Sequence, residues 1–584
     1  MTTKQTVEQD RMGRKLKGDL KTQSGYDVKV AYGPEDIADL DYKRDLNDPG
    51  SYPFTRGTYP KMYREKLWVR GVLPGHIQYA ADRGGSPDDD CVEMFDKGVI
   101  TSGIRTGGDY HNLATIDPDH PLIKYDIDSC ITGTSYSTWQ YLYGSKQWWA
   151  KEVLTKSITE GLVVELGHAV GPADVCEFTM YLAALELMGY DWTKFKGNMV
   201  NDPLHTHIGC CMNYKQPLEV GFRVSVDAME WALKNTPKFR PTNGGCAYDM
   251  REAGINTIQE LAFRFANYIE YTDELVRRGV KFEDWGHLPA IALSGEIDFF
   301  ETICKLRAAR RIYARIATQR YGADPKNLKC PPCNTNLAGD SMTAQQPIFN
   351  VVRNTIEAMA SILGGINGME MKGYTEALTT PPIEAFAVNR GIEAIIAEEA
   401  NIPLVADPLA GSYYVEWLTN KIEQDVFAYL QKILDMGGMR AALKTGWIQS
   451  EVENASQERQ KELDEGRKIK VCVNAYEELN DYSIPLPMLE YHHADPFNPY
   501  SERQKKTIEE FEEFKRTRDV SKAKLALEKL YQLAKGDTNI FSAMIDAFRN
   551  DATIGEVMGV TRKAMGFPYD QFEMVNPPDF LELN

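Results

Sequence analysis

The chain has 584 residues, 43% of them hydrophobic, and a formal net charge of -18 with a pI near 5.2. That size supports a large core, either roughly two to four domains or one barrel, and the acidity excludes a general nucleic-acid or anionic-membrane surface, because the long-range field repels phosphates. No run approaches about eighteen apolar residues and the N-terminus, MTTKQTVEQDRMGRK, lacks an apolar signal core, so the sequence reads as a cytoplasmic protein.

Residues 1–50 are polar and weakly periodic and end in the turn-rich DLNDPGSYP, which predicts an extended arm. The next stretch, YPFTRGTYPKMYREKLWVRGVLPG at 52–75, is basic and aromatic. It carries Arg56, Lys61, Arg64, Lys66 and Arg70 against Glu65, interleaved with Tyr59, Tyr63 and Trp68. Local cations beside flat side chains suit a ligand with phosphates and a purine, while the alternative is a solvated charged loop.

Beyond the strip, short β-branched or apolar runs recur at 98–101, 161–166, 289–293 and 402–406. Between them lie helical patterns at 173–188, 257–278, 298–317, 344–363, 382–400 and 414–436. Alternation of strands and helices over this length predicts a parallel sheet, with a closed (β/α)8 barrel over 51–440 favoured above an open doubly wound sheet. The Gly-rich phosphate fingerprint of the open dinucleotide folds is missing after the early strands. From about Gly438 the chain turns to charged helix: 450–468, a short strand in VCVNAYEE at 471–478, then helical patterns at 499–535, 541–548 and 554–565. Residues 441–584 thus read as a helical C-terminal region for packing or subunit docking.

Ten cysteines without a secreted framework spacing fit reduced thiols. Cys330-Pro-Pro-Cys333 is a lone CxxC with no second ligand pair. In HTHIGCC at 205–211 adjacent cysteines point apart on a regular backbone, so no metal site is assigned.

Seven segments in order then carry a resemblance: YPFTRGTYPKMY at 52, CAYDMREAG at 246, KLRAARRIYA at 305, NVVRNTIEAMA at 350, ADPLAGSYYVEWLT at 406, MGGM at 436 and VNAYEE at 473. Over these segments the chain resembles the large subunit of the adenosylcobalamin-dependent acyl-CoA mutases, the methylmalonyl-CoA mutase family. The resemblance implies a (β/α)8 barrel threaded by the CoA pantetheine arm, with cobalamin capping its C-terminal end. It implies an isomerase in which the deoxyadenosyl group of the cofactor starts a radical shift of the acyl carbon skeleton, the protein supplying orientation and exclusion of water. The family's cobalamin domain carries a DxHxxG loop, and this sequence has none; Asp284-Trp-Gly-His287 has the wrong spacing. The resemblance therefore implies a separate small cobalamin-binding subunit, a hetero-oligomer, and a G-protein chaperone as a further partner.

Carried over residue by residue, the resemblance places Tyr59 near the CoA nucleotide, with Lys61 and Lys66 at a threonine and an arginine position of the grip. Arg70 stands one position from the family arginine of that strand. Asn367 replaces a glutamine near CoA, Lys372 replaces an asparagine near adenosine, and Glu376 in GYTEAL matches the glutamate that hydrogen-bonds the adenosyl ribose. The other reading of Glu376 is an acid at a helix N-terminus.

The acyl pocket departs most from the family. Leu73 stands at the tyrosine beside the migrating group, Cys210 at the arginine that pairs with a free carboxylate, and Val200 at the preceding glutamine. Asp249 stands at the histidine that bonds the thioester carbonyl, and Leu288 and Ala290 at the Arg and Ser beside CoA. Loss of the arginine disfavours methylmalonyl-CoA, and leucine at 73 admits a bulkier or more apolar branch. Asp249 replaces the histidine donor when protonated, as burial promotes; otherwise Tyr248 holds the carbonyl. Arg105, flanked by glycines in GIRTGGDYHN at 103–112, reads equally as a carboxylate partner and as a surface arginine. The first favours an arylsuccinyl-CoA and benzylmalonyl-CoA pair, the second an isobutyryl-CoA or hydroxyisobutyryl-CoA type. A catalytically silent scaffold paralogue, and a plain CoA-binding barrel enzyme without radicals, are the readings from other classes.

Overall fold

The structure is a computed structural model that describes residues 21–71, 158–159, 164–166, 172–199, 201–207, 217–241, 248–378, 383–482, 509, 512–570, 573 and 575–583. Seven strands fall among these residues, and every ladder between them is parallel. Strands β1 (Val69–Gly71), β5 (Ile291–Gly295), β6 (Cys333–Leu337) and β7 (Gly368–Glu370) form one sheet in the order β1-β7-β6-β5. Strands β2 (Val164–Leu166), β3 (Gly197–Met199) and β4 (Phe239–Arg240) form a second. Register in the first sheet sets Val69 opposite Gly368 and Asn334 opposite Gly368 on its other side.

Long helices connect the strands, as parallel ladders require. They are α1 (Pro172–Leu187), α2 (Leu218–Asn235), the short α3 (Tyr248–Glu252), α4 (Thr257–Arg277), α5 (Phe299–Gln319), α6 (Phe349–Leu363), α7 (Ile383–Ala394) and α8 (Tyr413–Asp435). Their starts are written in the sequence. Asn256 accepts from the amides of Ile258 and Gln259, with Gln259 returning the bond as a capping box, and Asp298 caps α5. One core packs α4, α5, α6 and α8 against the first sheet, together with Ile448 and Val452 of α10 (Trp447–Asp464), which follows the short α9 (Met439–Lys444). A second core joins α1 and α2 to α11 (Val520–Ala534), α12 (Phe541–Arg549) and α13 (Ile554–Ala564). Phe178 stacks there on Phe239 at 4.3 Å and on Phe541 at 5.5 Å.

Two expected strands are not strands. The 402–406 run holds a one-turn 3-10 helix, Ile402–Leu404, because Pro403 lacks an amide for a ladder and Asn401 turns the chain at φ 57°. At 471–478 the backbone makes an isolated bridge, Val471 to Ala475, since Cys472 (φ 68°) and Tyr476 (φ 56°) leave the extended region. The 98–101 run lies outside the described residues. Among the described residues no helix is long and apolar enough to cross a membrane.

Candidate active site

Residues 52–68 of the basic strip precede β1, so they lie at the amino ends of the parallel strands. Helix α5 holds it there: Arg310, fully buried, donates to the carbonyls of Phe54 (2.9 Å), Thr55 (2.9 Å) and Gly365 (3.1 Å). Gly57 has φ 133°, and a side chain there would meet Met62 Sδ at 2.5 Å, so the turn requires glycine. Asn367 closes the other side, accepting from the Cys333 amide (2.9 Å) at the start of β6 and donating to Thr58 Oγ1 (2.8 Å). Half-buried Tyr59 donates to the Lys66 carbonyl (2.9 Å). Lys61, Arg64 and Lys66 are exposed and make no ion pair among the described residues. Arg56 instead turns inward to Asp407 at 3.4 Å.

Two of the three aromatic residues expected to cover a base do not face solvent. Tyr63 donates to the carbonyls of Ile362 and Ile366 (both 2.9 Å), and Trp68 packs edge-on against it at 5.2 Å. Both belong to the core, because a flat apolar ring beside a sheet edge gains more from burial than from a loose stacking surface.

The second group stands at the carboxyl ends of the same strands. Three buried asparagines fix the loop after β7. Asn354 donates to the Lys372 carbonyl (2.7 Å), Asn350 to that of Tyr374 (2.8 Å) and Asn389 to those of Met371 (3.2 Å) and Lys372 (3.0 Å). The NVVRN segment therefore serves to present GYTEAL. In that loop Lys372 Nζ sits 4.4 Å from the Tyr248 ring centroid and 3.7 Å from Glu370. Glu376 points a buried Oε2 that has no hydrogen-bond partner among the described residues, and burial pushes its carboxyl up although Lys372 opposes the shift.

Tyr248 and Glu252 stand four apart on α3, hence on one face. The Gly339 amide donates to the Tyr248 hydroxyl (3.2 Å) and to Glu252 (3.1 Å), and the Asp340 amide donates to Glu252 (2.6 Å). Burial, reinforced by the Glu296 carboxylate, pushes Glu252 up to about 7. Glu252 was not singled out from the sequence; its signal was the helical spacing from Tyr248 within CAYDMREAG.

The remaining expected residues are only partly placed. Arg70 lies in β1 opposite Met369 and Asp249 in α3, each described for its backbone alone. Leu73, Arg105, Val200 and Cys210 lie outside the described residues. Leu288 and Ala290 precede β5, and the buried Ala290 carbonyl accepts from Arg264. Among the described residues no three His, Cys, Asp or Glu side chains cluster to hold a metal, and burial pushes the Cys330 and Cys333 thiols up, which suits packed rather than ligating sulfurs.

The geometry thus offers exposed cations at one end of a parallel sheet and, at the other, a buried carboxyl oxygen without a hydrogen-bond partner among the described residues, beside a lysine–tyrosine pair. The family profile described as methylmalonyl-CoA mutase matches residues 21–567. Over 548 residues the chain is 30% identical to the 2-hydroxyisobutanoyl-CoA mutase large subunit of Aquincola tertiaricarbonis, covering 93% of this chain and 91% of that protein. It is 29% identical to the methylmalonyl-CoA mutase of Escherichia coli, over 92% of this chain and 71% of that one, and 29% identical to the human mitochondrial enzyme, over 93% and 68%. The chain belongs to the methylmalonyl-CoA mutase family and is an isomerase of the acyl-CoA mutase kind.

Proposed function

We propose that the chain is the catalytic large subunit of a mutase that rearranges the carbon skeleton of a branched acyl-CoA other than methylmalonyl-CoA. The observation that carries this reading is the division of the site between the two ends of one sheet, which suits a long thioester whose nucleotide and acyl ends are far apart. Residues 51–440 would close into a (β/α)8 barrel around it, with 1–50 as an arm and 441–584 as a helical region.

Tyr59, Lys61 and Lys66 hold the CoA phosphates and base at the amino end, and Asn367 sets their distance from β6. Adenosylcobalamin fits the carboxyl end: an orphaned, buried carboxylate oxygen on Glu376 matches a sugar hydroxyl, which would complete its hydrogen bonding. When bound, that group supplies the radical chemistry of the rearrangement. The chain's own tasks are then to fix the acyl thioester through Tyr248 and Asp249, to hold Lys372 near the nucleoside, and to exclude water. A separate cobalamin-binding subunit in a cytoplasmic hetero-oligomer is part of this reading, and similarity along 91% of a protein named as a large subunit supports the separate subunit.

For the acyl group, the 2-hydroxyisobutanoyl-CoA mutase relative favours the hydroxyisobutyryl type; Cys210 agrees with loss of the carboxylate partner, and Leu73 with a bulkier or more apolar branch. Incubating the chain with a cognate small subunit, adenosylcobalamin and each candidate thioester, and reading the isomer by mass spectrometry, tests this. Isomerisation of methylmalonyl-CoA alone would overturn the substrate reading, and no isomer from any of them the catalytic one. Arg105 keeps the arylsuccinyl reading in play: Arg105→Ala should weaken a dicarboxylic substrate by about tenfold or more and leave a monocarboxylic one unchanged, and equal effects remove its role.

A further inference from the structure

Beside the carboxyl ends of β5 and β6, and separate from the strip, lies a cavity of about 240 Å³. Four cations line it, Arg353, Arg459, Lys468 and Lys470, with two carboxylates, Glu296 and Asp340. Both carboxylates are already committed. Glu296 pairs with buried Arg251 at 2.9 Å, and Asp340 pairs with Arg459.

That leaves three cations with no ion pair among the described residues, although Glu357 lies within electrostatic reach of Arg353 and Lys470, and Glu252 within reach of Lys470. The Arg353 guanidinium donates to Thr343 Oγ1 (2.9 Å), Asn350 Oδ1 (2.7 Å) and the Val471 carbonyl (3.1 Å), all neutral. Lys470 Nζ donates to the Asp340 carbonyl. Lys468 Nζ makes no hydrogen bond or ion pair among the described residues. Converging like charges in a partly enclosed space is unfavourable unless an anion joins them. Burial, then the neighbouring Arg459 and Arg251, push Lys468 down to about 8 against the opposing Glu296 and Glu462, with Asp298 also within electrostatic reach, and burial lowers Lys470 and Arg353 as well. The rest of the chain does not share this sign, since its net charge is -18.

We propose that this cavity is a second ligand site, for a small phosphate-type oxyanion carrying at least two negative charges. Arg353 and Arg459 offer planar donors and Lys468 and Lys470 point charges, the combination that suits tetrahedral oxyanions. The volume leaves room for a phosphate ester. Ile297, Leu463, Ile469 and Val471 add apolar lining, so the ester's organic part packs on apolar surface. The site adjoins the reaction centre, because the Gly339–Asp340 backbone that walls it is the segment that Tyr248 and Glu252 bind.

Calorimetric titration of the full chain with inorganic pyrophosphate tests the proposal, with CoA titrated in parallel. The wild type should bind pyrophosphate, and more weakly at about pH 9 than at about pH 7, as Lys468 loses its proton near 8. Lys468→Gln with Lys470→Gln should weaken pyrophosphate by roughly tenfold or more while leaving CoA unchanged, and Lys468→Arg should keep binding, which separates charge from misfolding. Lys61→Gln with Lys66→Gln should do the reverse. No pyrophosphate binding to the wild type overturns the proposal, as does loss of binding in the Lys61 and Lys66 variant alone or loss of both ligands in the Lys468 variant. Pyrophosphate binding without CoA binding in the wild type would instead sink the CoA grip and leave the cavity standing.

Discussion

Helix α5 and the strip before β1 carry nearly the same charge chemistry and use it oppositely. Each holds five cations within fifteen residues: Lys305, Arg307, Arg310, Arg311 and Arg315 in α5, and Arg56, Lys61, Arg64, Lys66 and Arg70 in the strip. In α5 four of the five are buried, and their partners are supplied from remote chain. Lys305 pairs with Glu260 at 2.7 Å, Arg307 with Glu416 at 2.6 Å and with Asp407, and Arg311 with Glu423 at 2.8 Å. In the strip Lys61, Arg64 and Lys66 stay in water with no ion pair among the described residues. The difference teaches that a family motif rich in arginine is not by that fact a ligand site: KLRAARRIYA builds the frame, and YPFTRGTYPKMY is left with charge to spend on a ligand.

Breaking the frame should cost most. Arg307→Ala strands Glu416 in the interior and leaves Asp407 with Arg56 alone, and a loss of about 3–5 kcal/mol in denaturant titration is expected; a change under about 1 kcal/mol would show that the pair is not structural.

Glu252 gives the next effect, and its sign is fixed by its raised carboxyl. The folded state holds a proton up to about 7, while the unfolded chain releases it near 4.5. Between those values the native state binds more protons, so stability falls as pH rises through that window, by on the order of 2–3 kcal/mol. Glu252→Gln should flatten that slope in thermal melts across the window, and an unchanged slope would assign it to other groups.

The strip should give the smallest change in stability. Lys61→Gln with Lys66→Gln should move unfolding by less than about 0.5 kcal/mol yet weaken CoA by roughly tenfold. Destabilisation comparable to that of Arg307→Ala would erase the contrast between the two regions.

Much of this was legible along the chain. The helical periods at 257–278, 298–317 and 414–436 match α4, α5 and α8 to within about two residues, because a face of 3.6-residue period is a local property. The parallel alternation was legible for the same reason. At 402–406 and 471–478 apolar composition misled, since Pro403 and the positive φ of Cys472 and Tyr476 decide the backbone there. Tyr63 and Trp68 were misread as base-covering because their burial depends on Ile362 and Ile366, some three hundred residues away.

By itself the sequence determined the periodicities, the parallel class of sheet and the ordered segments of an acyl-CoA mutase. Only the tertiary structure decided which charges are committed and which are available. The reason is that helical and strand periods are set by neighbours within a few residues, whereas charge compensation is set by whatever approaches in space. Arg307 meets Asp407 and Glu416 from 100 and 109 positions away, and Lys468 forms no ion pair among the described residues although Glu296 and Glu462 lie within electrostatic reach. Separations of that size leave no trace in local pattern, so the cationic cavity and the exposed grip emerge only once the chain has folded.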